Sequence, residues 1–193
     1  MAGGDIGHKF ILNALEANNQ SKTLYLIHTS DTFPSYGSIL ASGATSLPEQ
    51  WDGDGSQLHS MLGHAEEWLF STVLGIRCKF DACTIRPRPH ARRIDATTAP
   101  AYMTQGSFHS ATCGKVAVTI SWDLLTGVLV LQVETPAPKL STCRGWTVHV
   151  PADDSSTVTT LSAGAHVEVE TKTVTLLQGG VHEWRSVYLK ALI

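Results

Sequence analysis

The sequence predicts an α+β protein in which an N-terminal helical segment is followed by an antiparallel β-sandwich. Before Arg77, apolar residues recur at intervals of three and four, as they do along one face of a helix. After Arg77, short runs rich in Val, Thr and Trp are separated by Gly, Pro, Asp and Ser. The length of 193 residues suits a single globular domain or two small ones. We therefore expect a helical domain at 1–76 and a sandwich at 77–193.

Four helices are predicted in the first domain. The first has an apolar face of four residues, Phe10, Ile11, Ala14 and Leu15. The second covers residues 24–28, and the third covers 36–41 and ends at Gly43, which suits a left-handed cap. The fourth is the strongest, because eight apolar positions recur at three and four before Gly75: Leu58, Met61, Leu62, Ala65, Trp68, Leu69, Thr72 and Val73.

Nine strands are predicted in the second domain, near residues 79–86, 107–110, 115–123, 128–135, 146–150, 157–161, 166–170, 173–177 and 180–189. Turn residues at 125–127, 153–154 and 179–180 fit antiparallel hairpins. Eight or nine short strands of this kind favour a β-sandwich over other folds.

Composition excludes several classes of partner. The net charge of −3 and the pI near 6.3 give no electrostatic footprint for nucleic acid or for an anionic membrane. The Arg-rich stretch at 85–93 is interpreted as a solvated connection. The N-terminal residues contain neither a signal peptide nor a membrane span, so a cytoplasmic location is expected. Nothing in the sequence calls for a cofactor.

Four cysteines, Cys78, Cys83, Cys113 and Cys143, have spacings of 5, 30 and 30, which fit no zinc motif. No metal site is therefore expected. Cys78 and Cys83 lie in one segment interpreted as extended, where an odd separation points two side chains to opposite faces of a regular strand, so a disulfide between them is not expected. We expect all four to be reduced thiols.

The segment 43–62 carries the candidate chemistry, because it places Glu49 and His59 in a glycine-rich loop beside Trp51. Acidic and imidazole side chains on such loops are typical of acid-base sites, although both are more often solvated surface residues. Asp52 and Asp54 flank Gly53 and indicate ordinary turn chemistry. Three further titratable residues are expected at the surface or an interface: His8, His64 and Glu67.

Four blocks follow one another in a recognisable order: PSYGSIL (34–40), GATSLPEQWD (43–52), SQLHSMLG (56–63) and EWLFSTVLGI (67–76). They resemble the family patterns PSWGYML, GATTLWERWD, SxNHxMxG and WLYRxLAGI, which close the catalytic barrel of α-L-rhamnosidases of glycoside hydrolase family 78. GWTVHVPADDSSTVTTL (145–161) and LLQGGVHEW (176–184) resemble strands of the family's C-terminal β-sandwich. The resemblance implies that the helical segment is a remnant of an α/α barrel.

The resemblance also implies roles for individual residues. An inverting glycosidase needs a carboxylic acid that protonates the leaving oxygen and a carboxylate that activates water, about 6.5–9.5 Å apart. Glu49 falls on the family's general base and His59 on a histidine that hydrogen-bonds the sugar. Trp51 would be an apolar wall of the pocket or a packing residue beneath the loop. Tyr36 stands where the family has the tryptophan of its PSW block.

The chain also departs from the family pattern. Pro48 replaces the tryptophan that precedes the base, and Leu58 replaces the asparagine that precedes the histidine. The family's general acid and most of its sugar contacts lie in earlier barrel helices, to which no segment here corresponds. We therefore expect a truncated rhamnosidase-like protein that does not hydrolyse rhamnosides alone.

Two alternatives remain open. A shortened rhamnosidase scaffold could serve as a cyclase or isomerase in specialised metabolism, with Glu49, His59, Tyr36 or Trp51 acting on a small molecule. A non-enzymatic carbohydrate-binding or assembly module could instead use three tryptophans as sugar platforms, Trp122, Trp146 and Trp184, although alternation favours the core for them. Helix faces left without barrel neighbours predict docking on the sandwich, a homodimer, or a separate chain that covers them.

Overall fold

The computed structural model describes residues 4–88, 101–123, 125–137, 142–151, 157–160, 167–168, 173–176 and 179–187. The chain divides into two compact units, Met1–Leu69 and Phe70–Ile193. The described helical residues end at Val73 and the first strand begins at Ile76. The predicted α+β class is confirmed.

Three α-helices open the helical unit: α1 (Gly4–Ala17), α2 (Ser21–Thr29) and α3 (Tyr36–Ala41). Asn19 ends the first connection with a left-handed backbone, at φ 56°. The third helix has the bounds predicted for it, because Ser35 and Ser38 form a capping box at its start. At its end Gly43 is left-handed, at φ 80°, and donates its N–H to the Leu40 carbonyl.

The buried face of α1 differs from the predicted one. His8 and Leu12, four residues apart, are 1% and 4% exposed, whereas Phe10 is 67% exposed. The predicted face of Phe10, Ile11, Ala14 and Leu15 is therefore wrong, and so is the prediction of a surface position for His8. The helix turns His8 inward because this side chain meets other rings, as described below.

The fourth helix is confirmed as an element, but its geometry is mixed. A 3₁₀ helix (Ser60–His64) leads into α4 (Ala65–Trp68), which continues as a π-helical turn (Leu69–Val73). Leu58, 90% exposed, precedes this run and is not part of its buried face. Local changes of helical pitch of this kind shift a periodic face by part of a turn, which the simple 3.6-residue pattern cannot show.

Ten strands are described: β1 (Ile76–Lys79), β2 (Ala82–Ile85), β3 (Ala101–Ser110), β4 (Gly114–Asp123), β5 (Val128–Thr135), β6 (Trp146–His149), β7 (Thr157–Thr160), β8 (Val167–Glu168), β9 (Thr173–Leu176) and β10 (Gly180–Val187). They form two five-stranded sheets, ordered β1-β2-β6-β9-β8 and β3-β4-β5-β10-β7. The pairs are antiparallel except β2 with β6, which is parallel.

Some predicted connections are wrong. The run 79–86 is a hairpin rather than one strand, since Phe80 takes a left-handed backbone at φ 44° and the chain reverses there. The turn at 125–127 does join the paired strands β4 and β5. The strands around 153–154 and around 179–180 lie in different sheets, so neither connection is a hairpin. Residues 153–154 and the end of the Arg-rich stretch lie outside the described residues.

The inward faces of the two sheets share one hydrophobic core. Val118, Ile120 and Leu131 from one sheet are fully buried with Ile85 and Val148 from the other. All three tryptophans considered as sugar platforms are in this core, at 0–4% exposure: Trp122, Trp146 and Trp184. The sandwich is confirmed, and its tryptophans are packing residues.

All four cysteines form disulfides, so the prediction of reduced thiols is wrong. Cys78 bonds Cys83, which sits directly opposite it across the β1–β2 hairpin. The parity argument failed because it assumed one straight strand through both residues. Cys113, in the turn between β3 and β4, bonds Cys143, which precedes β6. Among the described residues, no helix has the length and apolar character needed to cross a membrane.

Candidate functional site

The segment that carries Glu49 is a closed loop with two paired arms. Glu49 donates its N–H to the Ser56 carbonyl at 2.8 Å, and His59 donates its N–H to the Leu47 carbonyl at 3.0 Å. Gly53 and Gly55, both left-handed, let the chain reverse between the arms. The structure therefore brings the backbones of Glu49 and His59 onto neighbouring arms, although ten residues separate them.

The Glu49 side chain is oriented by its own loop. Its Oε2 accepts a hydrogen bond from the Ser56 N–H at 3.0 Å, and the residue is half-buried. Among the described residues, none donates a hydrogen bond to Oε1. One oxygen is thus fixed by the backbone while the other can accept a proton.

Asp52 and Asp54 have the turn role that was predicted for them. The Asp52 Oδ1 accepts the Asp54 N–H at 3.1 Å, and both residues are exposed. This is an Asx turn, which stabilises the tip of the loop. The hairpin tip gives neither carboxylate the burial that a general acid needs.

Trp51 anchors the same loop in the helical unit. Its ring lies edge-on to Tyr36, with centroids 5.3 Å apart and planes at 78°, and edge-on to His8 at 5.2 Å and 86°. Two predicted site residues, Trp51 and Tyr36, are therefore in contact. This geometry matches the packing role that was considered for Trp51.

Tyr36 and Trp51 belong to a ring cluster that sequence reasoning missed; its members are His8, His28, Tyr36, Trp51 and Trp68. The His28 ring stacks on Trp68 at 4.5 Å and on Tyr36 at 5.3 Å. These residues come from α1, α2, α3, the loop and α4, so no local spacing relates them. The sequence feature that could have indicated burial of His8 was its spacing of four residues from Leu12, which places both on one helix face.

Hydrogen bonds assign the protons within the ring cluster. The Tyr36 hydroxyl donates to the Leu62 carbonyl, so the His8 Nε2 at 3.0 Å must donate to that hydroxyl. The His28 Nδ1 donates to the Leu24 carbonyl at 2.6 Å. Within the described part of the chain, the buried His8 Nδ1 and His28 Nε2 have no hydrogen-bond partner. Both imidazoles are therefore neutral.

Burial perturbs the ionisation of these groups. Desolvation, with a smaller contribution from His28 and His64, lowers the pKa of His8 to about 4. Desolvation also lowers the pKa of His28, and it raises the pKa of the Tyr36 hydroxyl well above its ordinary value. Because the Tyr36 hydroxyl is already used by Leu62 and His8, its predicted contact with substrate stays a prediction.

The described residues contain no group of three or more His, Cys, Asp or Glu side chains that could hold a metal ion. The four cysteines are committed to disulfides. The candidate acid-base groups considered for the helical unit are therefore side chains of its own residues, with Glu49, His59 and the ring cluster in or beside the loop.

The helical unit is similar in sequence to part of a known glycosidase domain. Residues 1–73 match the model of the bacterial α-L-rhamnosidase six-hairpin glycosidase domain. An α-L-rhamnosidase from Streptomyces avermitilis is 28% identical over 167 residues, which cover 79% of this chain. The chain is related to α-L-rhamnosidases. This rhamnosidase-related chain covers 15% of the length of the Streptomyces avermitilis relative, and no solved structure matches it.

The matched region contains the whole candidate site. The Glu49 loop and the five residues of the ring cluster all lie within residues 1–73 of the rhamnosidase-related chain. The β-sandwich lies outside the match to the domain model. Any activity carried over from the rhamnosidases therefore rests on the helical unit.

Proposed function

We propose that the helical unit supplies the general-base half of an α-L-rhamnoside-hydrolysing site, with Glu49 as the base. The observation that carries this proposal is the closed loop that fixes one oxygen of a half-buried carboxylate by the Ser56 N–H. The match of residues 1–73 to a glycosidase domain supports it. Under this proposal Oε1 takes the proton from a water that attacks the anomeric carbon.

His59 and Trp51 have supporting roles in this proposal. His59 lies on the arm opposite Glu49, which favours a contact with a sugar hydroxyl next to the attacking water. Trp51 holds the loop on the ring cluster, so that its contribution is positional. A positioned carboxylate gains from such support, because a displacement of about 1 Å can cost about 10²-fold in rate.

The acid half of the site has to come from residues other than these. General acid catalysis contributes about 10²–10⁴-fold to such reactions, and this chain shows no counterpart of the family's acid. The helical unit also exposes large apolar side chains: Ile6, Phe10, Leu26, Phe33, Leu40, Leu58, Met61 and Leu69. We propose that further helices of a barrel, from the same or another polypeptide, cover these faces and bring the acid.

A chimera tests the role of Glu49 without requiring the acid to be known. Residues 43–63 would replace the matching segment of the Streptomyces avermitilis α-L-rhamnosidase, and hydrolysis of a natural rhamnoside would be measured with the anomer of the released sugar. We expect retained hydrolysis with inversion, and a loss of at least about 10²-fold on Glu49→Gln. Asp52→Asn is the matched control, since it changes an exposed carboxylate of the same loop.

A different reaction on the same scaffold is the second candidate. The residues at Pro48, Leu58 and Tyr36, which depart from the rhamnosidase pattern, favour it because all three border the loop or the ring cluster. A folded chimera that does not hydrolyse rhamnosides, even with Glu49 intact, would reject the first proposal in favour of this one.

A further inference from the structure

We propose that the ring cluster is a pH-sensitive device that holds the Glu49 loop in place while its imidazoles are neutral and releases the loop when one is protonated. The regulatory meaning of this device rests on the proposed function of Glu49. The device itself does not, because it concerns the position of Trp51.

The ring cluster lies where the four helices of the unit meet. His8 comes from α1, His28 from α2, Tyr36 from α3 and Trp68 from α4, so the cluster joins all four helices. His8, at 1% exposure, has no route by which water could solvate a positive charge without displacing its neighbours. A displacement of the cluster residues would therefore alter packing contacts of all four helices.

Among the described residues, neither imidazole has a hydrogen-bond partner at its second ring nitrogen. His8 already donates from Nε2 to Tyr36, and its Nδ1 is buried without a partner in the described structure. His28 already donates from Nδ1 to the Leu24 carbonyl, and its Nε2 is likewise buried without a partner in the described structure. Protonation would therefore create a buried N–H donor that has no acceptor, together with a buried charge.

The described groups around His8 do not favour a positive charge on its ring. Among the side chains that the structure describes, three titratable groups act on His8: His28, on α2, His64, on the 3₁₀ helix, and Tyr36, on α3. Both histidines lower the pKa of His8 through their charge, and the centroids of His8 and His28 are 6.4 Å apart. Tyr36 stays neutral because burial raises its pKa. These three described groups therefore oppose a charge on His8 or leave it uncompensated.

Trp51 connects the ring cluster to the Glu49 loop. Trp51 is edge-on to both His8 and Tyr36 and is two residues from Glu49 in the chain. If His8 moves to hydrate its charge, Trp51 loses its contact with His8, and the Tyr36 hydroxyl loses the hydrogen bond from His8 Nε2. The loop then keeps its internal hydrogen bonds, the contact between Trp51 and Tyr36 and the buried Pro48, so its attachment to the helices is weakened on the side of His8.

The direction of the pH dependence follows from linkage. The pKa of His8 is lowered from 6.5 to about 4 in the folded protein, so the unfolded or released state binds the proton more readily. Stability of the closed cluster is complete above about pH 6.5 and decreases as the pH falls toward 4.

Fluorine NMR of the chain labelled with 5-fluorotryptophan tests the device directly. Trp51→Phe and Trp68→Phe assign the two resonances of the cluster, and Trp122, Trp146 and Trp184 in the sandwich serve as internal references. We expect the Trp51 resonance to move to a solvent-exposed position between pH 6.5 and pH 4 while the three references stay in place.

Variants separate the device from general acid unfolding. His8→Gln keeps a donor toward the Tyr36 hydroxyl but cannot be charged, so it should move the Trp51 transition by about one pH unit or more to lower pH. His28→Asn, which keeps a donor toward Leu24, is the second variant in case His8→Gln does not fold. His109→Gln, at an exposed position of β3, is the control and should leave the midpoint unchanged.

Two results would overturn the proposal: a Trp51 resonance that stays in place down to pH 4, or one that moves with the same midpoint in both neutral variants as in the parent chain. These measurements do not involve hydrolysis. If the Trp51 resonance moves and the chimera is inactive, the pH-sensitive device is retained and the role of Glu49 is rejected. If the Trp51 resonance stays in place and the chimera is active, the device is rejected and the role of Glu49 is retained.

Discussion

Gly55 lies directly against the carboxylate of Glu49. A Cβ built on Gly55 would be 2.6 Å from Glu49 Oε2 and 3.0 Å from its Cβ. Gly55 also has a left-handed backbone, at φ 80°, which other residues adopt at a cost. The absence of a side chain at position 55 is therefore what lets Glu49 fold back onto the Ser56 N–H.

The variant Gly55→Ala should displace this carboxylate. We expect it to break the hydrogen bond between Glu49 and Ser56 and to destabilise the loop by about 1–2 kcal/mol through the left-handed backbone. Gly53→Ala is the matched control, since Gly53 is left-handed at φ 92° but has no atom within 4 Å of a built Cβ. Amide exchange of Ser56 should rise in Gly55→Ala and stay low in Gly53→Ala; equal rates would contradict the role assigned to Gly55.

A pair of helix glycines gives changes of opposite sign. Gly7, in α1, has open space around a built Cβ, so Gly7→Ala should stabilise the helical unit by about 0.5–1 kcal/mol through helix propensity. In α3, a Cβ on Gly37 would lie 2.2 Å from the Ser30 carbonyl oxygen. Because this obstacle is backbone, Gly37→Ala should destabilise the unit in urea unfolding despite the same propensity gain. Stabilisation by both variants would show that α3 can move away from Ser30.

The two disulfides should contribute unequally to stability. Cys113–Cys143 closes a loop of 30 residues and Cys78–Cys83 a loop of 5, for which chain entropy gives about 3.6 and about 2 kcal/mol, respectively. Cys113→Ala/Cys143→Ala should therefore lower the free energy of unfolding of the sandwich more than Cys78→Ala/Cys83→Ala does. Both double variants would be compared by denaturant unfolding with the oxidised parent chain.

Alkylation followed by intact-mass measurement checks the premise of that comparison. The native chain should gain no alkyl group before reduction and four after it. Paired cysteines favour synthesis in an oxidising compartment, whereas the N-terminal residues alone predicted the cytosol. Alkylation of all four cysteines without reductant would restore the prediction of reduced thiols.

The elements were predictable where hydrophobic period and turn chemistry agreed. Strand β5 and helix α3 have the predicted bounds, since alternation defines the first and a serine cap defines the second. The run 79–86 was misread because a single left-handed Phe80 reverses the chain without any glycine. The reversal at Phe80 also brings Cys78 opposite Cys83. The wrong prediction of a single strand therefore led to the wrong prediction of reduced thiols.

The candidate site was predictable only to a limited extent. Glu49, His59 and Trp51 were found because they lie within one short segment that resembles a known pattern. His8 and His28 were not, because their partners lie on other helices and a lone histidine on a helix more often indicates a solvated face. Tertiary contact, rather than any local property of the residues, turns them into members of a buried cluster.

The last prediction is that this chain by itself does not turn over natural α-L-rhamnosides. Natural glycosides have poor leaving groups, so that loss of a positioned acid alone removes about 10²–10⁴-fold in rate. An aryl rhamnoside with a good leaving group needs little proton donation, and slow hydrolysis of it would still require Glu49. We therefore expect no release of rhamnose from a flavonoid or terpenoid rhamnoside by chromatography, and at most slow, Glu49-dependent release from the aryl substrate. Fast turnover of the natural glycoside by the purified chain would show that the chain contains a general acid that the resemblance to the rhamnosidases did not identify.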